Sequence, residues 1–251
     1  MLLKTGRIAF IDPKRYNPTG ALPFDEKVPF FAKHLAPYAL VRDICRGKKI
    51  LEIGVGDGYG MQYLADAAGA YTGVDIDSAR LSRAKSKYGL HHALVMDGLR
   101  LGFKPCTFDV VLCFHIIEHI PEATVRKFLQ EVKEVLRPQG LFICATPNAL
   151  KNMKHKGDRY QLDPLHAKEY DYRGLKELLG GIFRNAEVYS FLPTIKHDFF
   201  LRLKKIGLLK YDFFNTNPVR KFYKNISTSD FRICGRELRN AVDFIAACKK
   251  E

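Results

Sequence analysis

The stretch Ile50-Leu51-Glu52-Ile53-Gly54-Val55-Gly56-Asp57-Gly58-Tyr59-Gly60 decides the fold of this 251-residue chain. Its first four residues are mainly apolar and predict a short buried strand. Glycines at alternate positions then let the backbone turn tightly and approach a ligand without a side-chain clash. A helix is predicted to begin at Tyr59, and the free N–H groups of its first turn would face the same ligand. The pattern therefore indicates a ligand site directly after a strand.

Strands and helices are predicted to alternate around this loop. The strands are expected at residues 49–53, 71–75, 91–96, 108–115, 141–145, 186–191 and 241–248, and the helices at 29–45, 59–68, 78–87, 121–136 and 170–179. Such alternation implies right-handed crossovers and a parallel sheet. The sequence thus predicts an α/β, Rossmann-like fold with a doubly wound seven-stranded sheet, mostly parallel, whose last strand is antiparallel.

Two regions lie outside this alternation. Residues 1–46 are predicted to form an arm and a helix ahead of a ligand-binding domain at 47–251, in which 192–240 is an insertion. From Lys196 to Lys224 there are eight lysines and arginines against two aspartates, interleaved with aromatic residues. Three interpretations stay open: a lid whose aromatics join the core, contact with an anionic membrane or lipid-linked acceptor, and stacking on single-stranded nucleic acid.

Composition limits the class of protein. The net charge of +14 permits a polyanionic partner but does not choose one. No apolar run approaches the roughly 20 residues needed to span a bilayer, and no secretory signal is evident. The six cysteines are scattered without a CxxC pair, which favours a reducing compartment. A cytoplasmic location is expected, with peripheral membrane contact as an alternative, and the oligomeric state stays open.

Acidic residues stand on both sides of the glycine loop. Glu52 lies inside the preceding strand, and Asp75 ends the next one, about 20 residues on, where a carboxylate can accept hydrogen bonds from ribose hydroxyls. The loop reads GxGxG rather than GxGxxG, so a dinucleotide pyrophosphate fits less well. Negative surroundings favour a cation instead. The pattern favours a positively charged nucleoside, and the alternative is a tight turn in another α/β protein.

Five motifs resemble, in the right order over roughly residues 47–147, those of class I S-adenosylmethionine-dependent methyltransferases. They lie at 50–60, 74–77, 95–98, 108–120 and 136–142. The resemblance implies S-adenosylmethionine as the cofactor, with Glu52 ordering the loop. It assigns the following residues to the cofactor site: Gly54, Gly56 and Gly58 at the methionine part, Asp75 at the ribose, Ile76, Met96 and Asp97 around the adenine, and His115 beside the sulfonium.

A second set of segments resembles a bacterial and archaeal subgroup that is often associated with cell-surface glycan assembly. The segments are 27–29, 34–39, 56–60, 117–119, 145–148 and 164–169. The leading hypothesis is therefore O- or N-methylation, by in-line displacement, of a small molecule, saccharide or lipid-linked glycan.

Three histidines are predicted to act in catalysis, because an oxygen acceptor needs a base with a neutral-range pKa. They are His115, His119 and His166. His115 follows a strand at the edge where open α/β sheets bind ligands. The alternatives are a structural histidine at 115, a helix-start hydrogen bond for Glu118, and helix capping by His166.

The run from His115 to His119 resembles the Glu-x-x-Glu-His segment of quinone-pathway O-methyltransferases, which are thought to hold a divalent metal there. His115 replaces the first acid, so no metal is predicted. The common signatures of adenine amino-methylation and of pyrimidine C5 methylation in nucleic acid are absent from the sequence. An RNA methyltransferase is the second hypothesis, favoured by charge alone. A nucleoside-binding scaffold without activity is the third, and the intact glycines, Asp75 and Asp97 argue against it.

Overall fold

A computed structural model describes residues 1–13, 24–156, 162–208, 217–237 and 239–251, without the side chains of 24–28, 152 and 154–156. The strands are β1 (Gly6–Arg7), β2 (Lys49–Ile53), β3 (Ala70–Asp75), β4 (Ala93–Val95), β5 (Phe108–Phe114), β6 (Leu136–Pro147), β7 (Asn185–Pro193), β8 (Phe231–Cys234) and β9 (Asp243–Lys249). The helices are α1 (Phe24–Cys45), α2 (Tyr59–Leu64), α3 (Ser78–Tyr88), α4 (Glu122–Val135), α5 (Ala149–Lys156), α6 (Tyr172–Gly180), α7 (Ile195–Lys205) and α8 (Pro218–Lys224).

All of these strands belong to one mixed sheet in the order β1-β8-β7-β9-β6-β5-β2-β3-β4. The half that contains the glycine loop is parallel throughout, from β6 across to β4. The last strand, β9, lies between β6 and β7 and is antiparallel to both, as predicted. The architecture is therefore the expected Rossmann-like α/β sheet.

The predicted number of strands is wrong, because the described residues form nine rather than seven. β1 pairs with β8 through Gly6 and Ile233, and β8 pairs in turn with β7. A two-residue strand shows no periodicity in sequence. β8 is four residues long and lies within the predicted insertion 192–240, where charge obscures its short alternation of buried Phe231 and half-buried Arg232.

Two apolar layers cover the sheet, one on each face. Alternate residues of the central strands point to opposite layers, so Ile50 joins the layer under α1 whereas Leu51 joins the layer under α4. Both residues are fully buried, as expected for a parallel sheet covered on both sides. Helix α4 packs on this second layer through one buried apolar stripe with Phe128 at its centre.

The stretch from Lys196 to Lys224, which is rich in basic and aromatic residues, contributes some of its side chains to the core. Phe222 and Tyr223 are buried, and the ring of Phe200 stacks on Phe222 with 4.2 Å between centroids. Phe199 is exposed on α7. The other aromatic residues of this stretch, Tyr211, Phe213 and Phe214, lie outside the described residues.

Candidate active site

The glycine loop joins β2 to α2 at the carboxyl end of the parallel strands. Gly54, Gly56 and Gly58 all have positive φ angles of 82°, 54° and 79°, which L side chains rarely adopt. The Gly54 N–H donates to the Val74 carbonyl at 2.8 Å, and the Gly56 N–H donates to Asp75 Oδ2 at 2.7 Å. The loop is therefore fastened to the end of β3.

Protein packing adds a second reason for these glycines. A Cβ at Gly54 would lie 2.3 Å from the Ile116 side chain, and one at Gly58 would lie 2.6 Å from Leu90. At Gly56 the neighbour is the Arg80 guanidinium, 3.0 Å from an added Cβ and paired with Asp57. The space beside Gly54 and Gly58 is thus closed by apolar side chains, whereas the neighbour of Gly56 is the movable end of a long side chain.

Glu52 is buried beneath the loop and bonded on both sides. Its carboxylate accepts hydrogen bonds from Tyr38 Oη at 2.5 Å and from Tyr71 Oη at 2.8 Å. Burial raises the pKa of Glu52 to about 7, although the two hydrogen bonds lower it. These contacts tie α1, β2 and β3 together. Neither tyrosine was singled out as a site residue, although Tyr38 lies in the segment 34–39.

Two carboxylates and two apolar side chains follow β3 and β4. Asp75 accepts from the Gly56 N–H and, through Oδ1, from the Asp77 N–H at 2.9 Å. Asp97 is exposed, and its Oδ1 accepts from the Leu99 N–H at 2.9 Å. The Met96 N–H donates to the Asp75 carbonyl at 3.0 Å, which holds the two strand ends together. Ile76 is 73% exposed beside them.

His115 follows β5 in a backbone conformation that is unusual for a residue with a side chain. Its φ is 56°, and its N–H donates to the Ala145 carbonyl at 2.8 Å. Its Nδ1 lies 3.6 Å from Glu118 Oε1, and its Nε2 lies 3.8 Å from Asp243 Oδ2. The left-handed backbone directs the imidazole between two buried carboxylates.

Three residues around His115 were missed from the sequence. The ring of His34 packs against that of His115, and Lys33 Nζ lies 2.9 Å from Asp243 Oδ1. The Nε2 atoms of His34 and His115 are both buried without a hydrogen-bond partner among the described residues. The available signals were a histidine within the segment 34–39 and an acid at the start of the otherwise apolar β9.

Glu118 lies in a short 3-10 turn after β5 rather than at the start of α4. Its carboxylate accepts a hydrogen bond from Thr146 Oγ1 at 3.0 Å, and the helix-start hydrogen bond stays a prediction. Burial raises the pKa of Glu118, but His115 and the hydrogen bond from Thr146 bring it below its ordinary value. Glu118 is therefore a buried carboxylate facing a histidine.

His119 and His166 come together on the other side of Glu118, with 4.9 Å between ring centroids. His119 Nδ1 lies 2.7 Å from the Leu165 carbonyl oxygen, and His166 Nδ1 lies 3.0 Å from Glu169 Oε1. Helix α6 is capped by Asp171, so His166 does not cap it. The three predicted histidines thus form two groups that share Glu118, and their catalytic roles stay predictions.

A parallel sheet with a glycine loop after one central strand and carboxylates after the next two defines a nucleoside-binding α/β domain. Residues 51–144 match the family model described as a methyltransferase domain. Together with the relatives below, the match shows that this segment is similar to class I S-adenosylmethionine-dependent methyltransferase domains.

Two curated proteins that are similar to this chain are named as methyltransferases. A probable S-adenosylmethionine-dependent methyltransferase of Mycolicibacterium smegmatis is 32% identical over 153 residues, which cover 60% of this chain and 57% of that protein. A ubiquinone biosynthesis O-methyltransferase of Haemophilus ducreyi is 32% identical over 111 residues, covering 41% of this chain and 46% of that one. The chain thus spans about half the length of these two curated relatives.

A solved structure of a SAM-dependent methyltransferase from Archaeoglobus fulgidus has the same fold. Its TM-score is 0.61 at 19% identity, and the likeness covers 89% of this chain and 94% of that one. The likeness to the subgroup associated with glycan assembly stays a prediction.

Proposed function

We propose that the protein transfers a methyl group from S-adenosylmethionine to a hydroxyl oxygen of a small molecule, saccharide or lipid-linked glycan. The observation that carries this proposal is the position of His115, between two buried carboxylates at the same sheet edge as the glycine loop. The name of one relative, an O-methyltransferase, supports an oxygen acceptor.

The residues at the ends of β3 and β4 fit the cofactor. Asp75 and Asp97 offer carboxylate oxygens for the hydroxyl and amino groups of adenosine, and the exposed Ile76 offers an apolar surface for its ring. Asp75 and Asp97 supply negative charge near a sulfonium. When bound, S-adenosylmethionine supplies an electrophilic methyl group whose sulfur leaves as a neutral thioether.

His115 is proposed as the base. Its imidazole accepts the proton of the acceptor hydroxyl as that oxygen bonds to the methyl carbon and the carbon–sulfur bond breaks. Glu118 and Asp243 then stabilise the imidazolium, since their carboxylates lie 3.6 Å and 3.8 Å from its two nitrogens. The side chain of His115 is only 12% exposed, which limits the access of water to the proposed base.

Contact with an anionic membrane remains part of the proposal for a lipid-linked acceptor. Helix α7 exposes Ile195 and Phe199 beside basic residues in its last turn. None of the described helices has the length and apolar character needed to cross a bilayer. Sedimentation with anionic vesicles tests the contact: unchanged partitioning of the double variant Ile195→Ser, Phe199→Ser would contradict it.

Single-stranded RNA is a weaker candidate. Phe222 and Tyr223 are buried, and Phe222 also stacks on Phe200, so Phe222 and Tyr223 offer no free face for a base.

Calorimetry with S-adenosylmethionine tests the cofactor site. Asp75→Ala should weaken binding by about tenfold or more, because a hydrogen bond to a charged group contributes roughly 1.5–3 kcal/mol. Asp43→Ala, at an exposed aspartate paired with Arg46, is the control and should bind like the wild type. Failure of the wild-type protein to bind would defeat the proposal. Methyl transfer is then followed with labelled cofactor over fractionated small molecules and lipids.

A further inference from the structure

We propose that Glu118, His119 and His166 form a binding site for a divalent first-row transition-metal ion. One donor atom of each residue lies within 4.8 Å of those of the other two. Glu118 and His119 belong to the 3-10 turn after β5, whereas His166 comes from the loop before α6. The site is therefore assembled by the fold from two separate segments.

Each imidazole has a hydrogen-bond acceptor beside Nδ1, which leaves Nε2 available as a metal ligand. The Leu165 carbonyl, 2.7 Å from His119 Nδ1, can only accept a hydrogen bond, so this nitrogen carries the proton and Nε2 keeps its lone pair. The Glu169 carboxylate, 3.0 Å from His166 Nδ1, selects the same tautomer of His166. Metal-bound histidines commonly donate their second ring nitrogen to a carbonyl or carboxylate in this way.

The two segments are held together by the protein itself. The Glu118 carbonyl accepts hydrogen bonds from the Ala167 and Lys168 N–H groups at 2.7 Å and 3.0 Å. The Glu118 side chain is buried and fixed by Thr146. With Leu165 bonded to His119, this network sets the three donors side by side before any ion binds, which lowers the cost of forming the site.

The donor set indicates the class of ion. Two imidazoles and one carboxylate suit Zn²⁺, Mn²⁺, Fe²⁺ or Co²⁺ better than Mg²⁺ or Ca²⁺, which prefer oxygen ligands. Metal–ligand distances of about 2.0–2.2 Å need the donors closer than 4.8 Å, so the three side chains must move slightly towards one another when the ion binds. Three protein ligands also leave a coordination position open.

The site shares Glu118 and His119 with the short segment that resembles quinone-pathway enzymes, but its third ligand lies outside that segment. His115, which replaces the first acid of that segment, packs on His34 and is not one of the three donors. The third ligand is instead His166, 47 positions beyond His119 in the numbering. The expectation of no metal rested on the segment alone and did not include this loop.

Calorimetric titration with Zn²⁺, Mn²⁺ and Mg²⁺ tests the proposal on untagged full-length protein that has been dialysed against a chelator. We expect one Zn²⁺ or Mn²⁺ ion per chain, with Mg²⁺ at least about tenfold weaker. His119→Ala and His166→Ala should each weaken binding by about tenfold or more, as should Glu169→Gln through His166. The double variant His91→Ala, His92→Ala is the control, because it removes two exposed histidines elsewhere.

The outcome can be separated from protein folding and from the proposed function. Circular dichroism shows whether each variant is folded, and the Mn²⁺ spin-resonance signal reports the bound ion directly. Absence of stoichiometric binding by the wild type would overturn the proposal, as would loss of binding only in the control variant. The titrations need no methyl donor, so failure to bind S-adenosylmethionine would defeat the proposed function and leave this site standing.

Discussion

The imidazole of His34 lies against that of His115, with 4.3 Å between the ring centroids. Burial lowers the pKa of His34 well below 6.5, and the neighbouring His115 and Lys33 lower it further. His34 is therefore neutral in the folded protein at pH values where a free imidazole is charged. Helix α1 thus brings a neutral ring to the residue proposed as the base.

We expect His34 to make the folded state less stable as the pH falls below about 6.5. The unfolded chain binds a proton at this imidazole that the folded chain excludes, so protonation favours unfolding below the unfolded pKa and has no effect above it. Urea unfolding of the wild type and of His34→Gln at about pH 7.5 and about pH 5.5 measures this. The variant should lose less stability than the wild type on acidification.

His91→Gln is the matched control for this experiment, because His91 is exposed and should behave like the wild type. Identical losses in the wild type and in His34→Gln would show that the imidazole is not excluded from protonation.

Glu52 should give the opposite dependence on pH. Its folded pKa is raised to about 7 from 4.5, so between these values the folded state holds a proton that the unfolded state has released. The contribution of Glu52 to stability is therefore greatest below about pH 4.5, falls as the pH rises to about 7, and is then constant. We expect the wild type to lose about 3 kcal/mol relative to Glu52→Gln over this range.

Denaturant unfolding of both proteins across the range measures the difference between them. Glu177→Gln, at an exposed glutamate on α6, should change in parallel with the wild type. A constant difference between the wild type and Glu52→Gln would mean that Glu52 titrates as an ordinary carboxyl in the folded protein.

Local sequence patterns predicted the glycine loop and the residues that end the parallel strands, but not the residues that α1 and β9 bring to His115. The loop and the positions of Asp75 and His115 follow from strand alternation, because the carboxyl ends of parallel strands meet at one edge. Asp243 and Lys33 were missed, since their contact joins α1 to the last strand across most of the chain. Pairing at such separation is set by global packing, which a single sequence does not reveal.

Gly58 should resist substitution for reasons that do not involve a ligand. Its φ is 79°, and an added Cβ would lie 2.6 Å from Leu90 and 2.9 Å from Ala84. Gly58→Ala should therefore reduce the free energy of unfolding by about 2–4 kcal/mol, combining backbone strain and overpacking. Denaturant unfolding without cofactor measures this loss.

Gly180→Ala is the matched control, because an added Cβ there meets no described atom within 4 Å. It should be neutral or stabilise α6 by up to about 1 kcal/mol, since alanine favours helix more than glycine. Equal stability of the two alanine variants would contradict the packing found around Gly58.

His115→Asn separates the base from the backbone that presents it. Asparagine tolerates the left-handed conformation at φ 56°, so the turn after β5 should stay intact, but its amide cannot accept the acceptor's proton. The rate of methyl transfer should fall by about 10²–10⁴-fold, measured on the fraction of small molecules or lipids that the wild type methylates. The affinity for S-adenosylmethionine, measured by calorimetry, should change little. His92→Asn, at an exposed histidine, should keep full transfer. Undiminished transfer by His115→Asn would remove His115 from the proposed mechanism and direct attention to His119 and His166.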